Sequence, residues 1–339
     1  MTARRARDGA LAVAWCECVF PCVRLLRWPI SNILLLSIGN CDRPTYLSGE
    51  MTMQTETFQP LEQFGAPVLG SFSKGVPGAA SLNMGRSGGA NCDLGCRHHP
   101  AHFPAGADRD GICYAIVVEN RHDRVQLKDK LDRHEAAPAS AIVAKALHEL
   151  EREKMHGRPP RPWFRFSTNG ALPKPAAALA DRLFIPRVRA LLSFLKNAGT
   201  PCHLPVESAE KAAFYREQLN GLVVVRESIQ TPDMNPDTIA AHPIPAGACS
   251  FTAGERVGKG AHKRRRILEA AAAAAAAWAK RTGRKTIVCP AVRVSFISRT
   301  KAGKAGRSAA DVEAWRQRAK CGSCTACALA HIDVVYPAH

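Results

Sequence analysis

Trp163-Phe164-Arg165-Phe166-Ser167-Thr168-Asn169-Gly170-Ala171-Leu172-Pro173 is the stretch whose reading decides the fold. Large apolar residues alternate with polar ones over 163–167, which predicts a β-strand. The residues that follow are turn formers, so the strand runs straight into a loop. In α/β proteins, loops leaving the C-terminal ends of parallel strands hold ligands. The question is then whether strands and helices alternate around this one.

They do, in both directions. Upstream, Ile142, Val143, Ala146, Leu147 and Leu150 fall at helical spacing over 137–155, and Pro159-Pro160 ends the helix. Downstream, a helix is expected over 182–197, a strand over 201–206 and a helix over 209–219 with Ser208 as its N-cap. Leu222-Val223-Val224-Val225 reads as a buried strand of branched residues, and a proline-rich loop follows over 231–245. Further strands are expected at 248–251, 286–288 and 332–336. The helices between them lie over 260–281, with an alanine run at 270–277, and over 309–318. Such alternation predicts an α/β fold with a parallel sheet, open or partly closed as a partial β/α barrel. No internal sequence repeat underlies it.

The chemistry lies in the 13 cysteines. Cys321-Gly-Ser-Cys324-Thr-Ala-Cys327 can turn three thiolates toward one point, and Cys289 supplies a fourth. Four thiolates complete either an all-cysteine zinc site or a four-iron, four-sulfur (4Fe-4S) cluster, and His331 could replace Cys289. A second group, Cys92, Cys96 and Cys113, lies in a loop rich in glycine (Gly85, Gly88, Gly89, Gly95). Three cysteines leave one coordination position of a four-iron cluster open, whereas a ligand from His98, His99 or His102 would close a zinc site. Close clusters in a chain of 339 residues argue for metal rather than a disulfide framework, and so for a reducing, cytoplasmic compartment.

Lys and Arg outnumber Asp and Glu by 47 to 29, for a net charge of +18. That excess favours a polyanionic partner such as nucleic acid, and the basic block His262 to Arg266 could grip phosphates. No apolar run reaches the roughly 20 residues of a membrane span, so no membrane is expected. The chain offers no Walker A lysine loop and no dinucleotide fingerprint, and nothing in it is read as a hydrolase triad. His203, Glu207, Arg226 and Glu227 fall near strand ends, where they serve either catalysis or buried ion pairs. No catalytic residue is assigned.

The organisation expected is a leading segment over 1–52, an extended lead-in over 53–82, an α/β core over 83–288 and a cysteine-rich metal-binding appendage over 289–339. The first segment is expected to be an over-extended gene start or a disordered extension, with Met51 or Met53 as initiator.

Cys113-Tyr114-Ala115, Arg165-Phe166-Ser167 with Asn169-Gly170, Cys289-Pro290-Ala291, the Cys321 cluster and His339, in that order, resemble a family of phage and prophage proteins of the "gene product eighty-eight" type. The likeness covers about 83–339. A looser similarity is to radical S-adenosylmethionine enzymes. These carry three cysteines in the loop after the first barrel strand and a glycine motif after the second. The resemblance implies Cys92, Cys96 and Cys113 as cluster ligands and Asn169, Gly170 and Ala171 as cofactor-binding residues. Three residues separate Cys96 from Cys92, as in that family, and sixteen separate Cys113 from Cys96. The expectation is an iron–sulfur enzyme acting on nucleic acid or a nucleotide. The alternatives are a non-catalytic, zinc-stabilised nucleic-acid-binding protein and a zinc-dependent base-modifying enzyme.

Overall fold

The computed structural model describes residues 23–27, 34–38, 68–71, 78–94, 96, 99–102, 125–167, 170–231, 234–253, 261–290 and 324–336. The chain divides into two units, Met1–Thr57 and Phe58–His339. In the first, β1 (Val23–Arg27) pairs antiparallel with β2 (Leu34–Ile38).

The second unit is built on an eight-stranded sheet. Its strands are β3 (Leu69–Ser71), β4 (Ala80–Leu82), β5 (Phe164–Phe166), β6 (Cys202–Val206), β7 (Val225–Thr231), β8 (Cys249–Ala253), β9 (Lys285–Val288) and β10 (Ile332–Tyr336). Spatial order follows sequence from β3 to β8, and then β10 stands between β8 and the edge strand β9. Only β3 runs antiparallel to its neighbour. The α/β fold with a mainly parallel sheet, expected from the sequence, is therefore present.

Helices fill the crossovers: α1 (Val125–Ala136) and α2 (Ala139–Met155), α3 (Pro175–Ala180) and α4 (Phe184–Asn197), α5 (Ala209–Gln218), α6 (Pro236–Ala241), and α7 (Ala261–Thr282). Parallel crossovers are right-handed, so strands added in one direction place their helices on one face. The buried residues agree. Leu82, Phe164, Phe166, Leu204 and Val206 pack with Ile142 and Ala146 of α2 and with Val188 and Leu192 of α4. Ile229, Phe251 and Val335 pack with Ile239 of α6 and with Ala271, Ala274 and Trp278 of α7. The alanine run lets α7 approach the sheet closely, and Trp278 fills the space left.

Paired residues of neighbouring strands point to the same side. Ser81, Arg165 and His203 are paired in a row across β4–β6, on the side away from the helices. Arg226 pairs with Pro205, Ser228 with Ser250, and both Gln230 and Tyr336 with Thr252, all on that same side. One face is thus apolar and helix-covered, and the other is polar. Parallel strands buried on both faces normally read as continuous apolar runs.

Several stretches differ from the sequence expectation. α1 and α3 were not expected as helices, and α6 stands inside the stretch read as a proline-rich loop. β7 runs Val225–Thr231, not 222–225, because Arg226, Ser228 and Gln230 belong to the polar face and disguise the strand as a loop. β3 and β4 lie in the expected lead-in yet belong to the core sheet. Among the described residues no helix is long and apolar enough to cross a membrane.

Candidate functional site

The loops after β4 and β5 both leave the C-terminal edge of the sheet, and they meet there. Gly170 has φ +67° and Gly85 has φ +143°. A Cβ on Gly170 would stand 2.5 Å from the Gly85 carbonyl oxygen, so the two backbones approach as only glycine allows. The sequence reading finds no G-x-S-x-G elbow, yet Gly85-Arg86-Ser87-Gly88-Gly89 spells that pattern. A turn follows it rather than the helix a nucleophile elbow requires, and Ser87 Oγ accepts the Gly170 N–H at 3.4 Å. Its role is to join the two loops.

Three side chains hold this edge, two of them buried. Glu135, at the end of α1, accepts the N–H groups of Arg86 (3.1 Å) and Ala90 (2.8 Å). His134 bonds the Asn83 carbonyl at 2.7 Å through Nδ1, and burial lowers its pKa to about 4. The imidazole is therefore neutral near pH 7 and Nδ1–H is the donor. Lys211 of α5 is 1% exposed and donates to Asn91 O (2.6 Å), Leu172 O (2.8 Å) and Glu207 Oε1 (2.6 Å). One ammonium thus ties the cysteine loop, the loop after β5 and the end of β6. Glu207, a catalytic candidate by position, serves here as the ion-pair partner of Lys211.

Cys92 Sγ accepts the Gly88 N–H at 3.1 Å, and the Ala171 N–H also favours its thiolate. Burial is the larger influence and raises its pKa. Cys96 Sγ receives Gln230 Nε2 at 3.0 Å, from the C-terminal end of β7. N–H donors aimed at sulfur are the surroundings that tune thiolate ligands of metal centres. Gly170 and Ala171 adjoin this loop. Cys113 and Asn169 lie outside the described residues.

The C-terminal cysteines lie elsewhere. Cys289, Cys324 and Cys327 belong to one apolar contact group with Tyr336, Ile332 and Val334, where Cys289 is 8% exposed. Cys327 Sγ lies 2.8 Å from the Tyr336 hydroxyl. Burial raises the Cys327 thiol, against the opposing pull of Tyr336 and Arg226. Burial likewise pushes Tyr336 well above its ordinary value, reinforced by Cys327 and Cys289. Cys321 lies outside the described residues. Among those described, no three His, Cys, Asp or Glu side chains are grouped to hold one ion.

Strand order explains why this segment reaches the polar face. A right-handed return from β9 to β10 runs backward across the sheet, so it crosses on the side opposite the helices. The described end of that connection does so. Arg226, fully buried on the polar face, donates to the carbonyls of Ala326, Cys327, Leu329 and Ile332 and to that of Cys249. Arg226 therefore works as a clamp on the cysteine segment. On the opposite face Asp333 accepts Cys249 N–H and Trp278 Nε1–H, each at 2.9 Å.

His203 and Ser167 are placed differently. His203 is 5% exposed, and its Nε2 has no hydrogen-bond partner among the described residues. Burial, with Arg165 and then Arg226 beside it, holds its pKa well below the ordinary value. Ser167 has φ +54°, a left-handed backbone that costs a non-glycine residue about 1 kcal/mol, and its Oγ is also without a partner among those residues. The sequence reading singled out His203 and missed Ser167. The signal for Ser167 was its position one residue past β5.

A separate cavity of about 620 Å³ opens at the opposite edge of the sheet, between Leu192, Arg216, Leu222, Gly247 and Ala328.

Comparison with family models, with curated proteins and with solved structures gave no match.

Proposed function

We propose that the chain is a partial-barrel metalloenzyme of the iron–sulfur type, with its reactive centre at the C-terminal edge of the sheet and its substrate side on the polar face. The observation that carries the reading is the joining of two loops. The cysteine loop follows the first parallel strand, the glycine loop follows the second, and Ser87–Gly170 and Gly85–Gly170 contacts lock them together. Cys92 and Cys96 fit a thiolate-bound cluster, since both sulfurs already accept N–H donors. Cys113 would complete that set, and Asn169, Gly170 and Ala171 would hold the methionine part of S-adenosylmethionine. A cluster with one open iron supplies one electron to such a cofactor. The protein's own share is to fix the loops through Lys211 and Glu135, to shield the polar face from water and to orient substrate there. The basic charge of the chain suits nucleic acid or a nucleotide as substrate.

A second centre is proposed at the C-terminal cysteines. Cys289, Cys324 and Cys327 belong to one apolar contact group, and with Cys321 they would be the ligands of that centre. Zinc or a second 4Fe-4S cluster there would pin the return segment to the sheet.

Metal and acid-labile sulfide content of the full chain, purified without oxygen, tests both. Iron with matching sulfide that falls by about one cluster in a Cys92→Ala/Cys96→Ala variant is expected. Zinc without sulfide would overturn the iron–sulfur reading. It would favour a zinc-stabilised nucleic-acid-binding protein or a zinc-dependent base-modifying enzyme.

A further inference from the structure

We infer that the cavity at the N-terminal edge of the sheet binds an organic acid, an apolar body carrying one anionic group, with Arg216 and Lys196 facing the anion. The cavity lies at the edge opposite the proposed metal centre, and its assignment is independent of that centre.

The volume, about 620 Å³, falls within the roughly 300–1,000 Å³ of small-molecule sites. The cavity lies where β6, β7 and β8 begin, at Cys202, Val225 and Ala248. Helices α4 and α5 lend it Lys196 and Arg216.

Its apolar wall comes from a run that the sheet does not use. Leu222, Val223 and Val224 are branched apolar residues in a row, yet β7 starts only at Val225. The three stand outside the strand, half-buried, and all of them line the cavity. Branched side chains left half-exposed at a cavity wall give an apolar ligand a surface to cover. Cys202 belongs with this wall, because burial raises its thiol well above the ordinary value and keeps it uncharged.

The polar wall is cationic. Arg216 is half-buried, and its Nε is shielded from solvent without a hydrogen-bond partner. Of the five N–H donors a guanidinium carries, one is used among the described residues, from Nη2 to Ala248 O at 3.4 Å. Burial lowers the Arg216 pKa. The Glu227 charge opposes that shift, but the two form no ion pair among the described residues. A Cβ on Gly247 would stand 2.6 Å from Arg216 Nε, so glycine there lets the guanidinium lie against the backbone. Lys196 makes one long bond, to Gly221 O at 3.4 Å. No Asp or Glu is among the residues that line the cavity.

These two walls select the ligand class. A cation would meet two positive side chains. A neutral apolar molecule would leave the guanidinium unmatched, which is costly for a group partly stripped of water. A small inorganic anion would leave the Leu222–Val224 wall wet. An organic acid answers both walls, its anion accepting charge-assisted hydrogen bonds and its body covering the apolar side. Open α/β sheets carry their reactive groups beyond the C-terminal ends of the strands, so this opposite edge is assigned binding and no reaction.

Titration calorimetry of the full chain with octanoate, octan-1-ol and inorganic phosphate tests the assignment. Saturable octanoate binding is expected, about tenfold or more tighter than octan-1-ol, with no saturable binding of phosphate. Arg216→Met keeps an apolar stem and removes the cation. It should fold as the wild type does, by circular dichroism, and lose most of the preference for octanoate over octan-1-ol. Lys196→Met, at an exposed position, should reduce the same preference by a smaller factor. Val224→Ser should weaken both ligands alike. Absence of saturable octanoate binding overturns the site, and so does equal binding of octanoate and octan-1-ol. A preference unchanged in both cation variants overturns the roles of Arg216 and Lys196, and saturable phosphate binding overturns the organic-acid class. Metal content plays no part in these readouts, so the site and the metal centre stand or fall separately.

Discussion

His134 shows how one side chain can set the acid stability of the cysteine loop. Its folded pKa is lowered to about 4, whereas the unfolded imidazole titrates near its ordinary value of 6.5. Between those values the unfolded chain binds the extra proton and the folded chain does not. Stability is therefore full above about pH 6.5 and falls as pH drops through the window, by up to about 3 kcal/mol from this residue. His203, displaced in the same direction, adds to the slope. Urea denaturation at pH 7 and at pH 4.5 should show the loss, and His134→Gln, which keeps a donor for Asn83 O, should flatten it. An unchanged slope in His134→Gln would remove His134 from the account. Asp333 is the counterpart on the other face. Asp333→Ala strands Cys249 N–H and Trp278 Nε1–H in the core, and should cost about 3 kcal/mol with a change in Trp278 fluorescence.

At the scale of elements, the C-terminal edge depends on α5 presenting Lys211 to two loops at once. Ser208 caps that helix by accepting the Lys211 N–H at 3.3 Å, which starts α5 where the ammonium can reach both carbonyls. Lys211→Met should leave Glu207 buried without its cation and free the cysteine loop. About 3 kcal/mol of stability should go, and with it the metal of the proposed centre at Cys92 and Cys96, as read by urea denaturation and metal content. Metal retained at the wild-type level would show that the loop is held by Glu135 and His134 alone.

α2, α4, α5 and the strand β5 were legible in the sequence, since 3.6-residue and two-residue periods report burial directly, whereas α1, which carries His134 and Glu135, was not read. The range 209–219 with its Ser208 cap matches α5 almost residue for residue. β7 was not legible, because a strand with one polar buried face carries no alternation of apolar with charged residues on which to base an assignment. β3 and β4 were missed for a different reason, being three residues each. Of the site, the cysteines and the Gly170 loop could be read from residue type. The buried polar row of Ser81, Arg165 and His203 could not, because it exists only once register is known.

For the molecule as a whole, the reversal of strand order at β10 is the controlling feature. The core itself forms two bodies of apolar contacts that meet at β7, where Val225 belongs to one and Ile229 to the other. One spans β4–β6 with α2 and α4, and the other spans β8 and β10 with α6 and α7. The second includes the last strand, which is delivered by the cysteine segment and held by Arg226 and Asp333. A metal centre at Cys289, Cys321, Cys324 and Cys327 would bind only the folded arrangement, so its free energy of binding would add to the stability of this half. Chelation of zinc, or oxidative loss of a cluster, should then raise amide hydrogen exchange first in 324–336 and in β8 and β9, while β4–β6 stay protected. Arg226→Met should produce the same pattern without chelation, because it removes the clamp on Ala326, Cys327 and Leu329. Hydrogen-exchange mass spectrometry on the metal-loaded and metal-depleted chain reads both. Equal deprotection of the two halves would mean that the sheet opens as one unit and that the C-terminal centre does not pin the return segment.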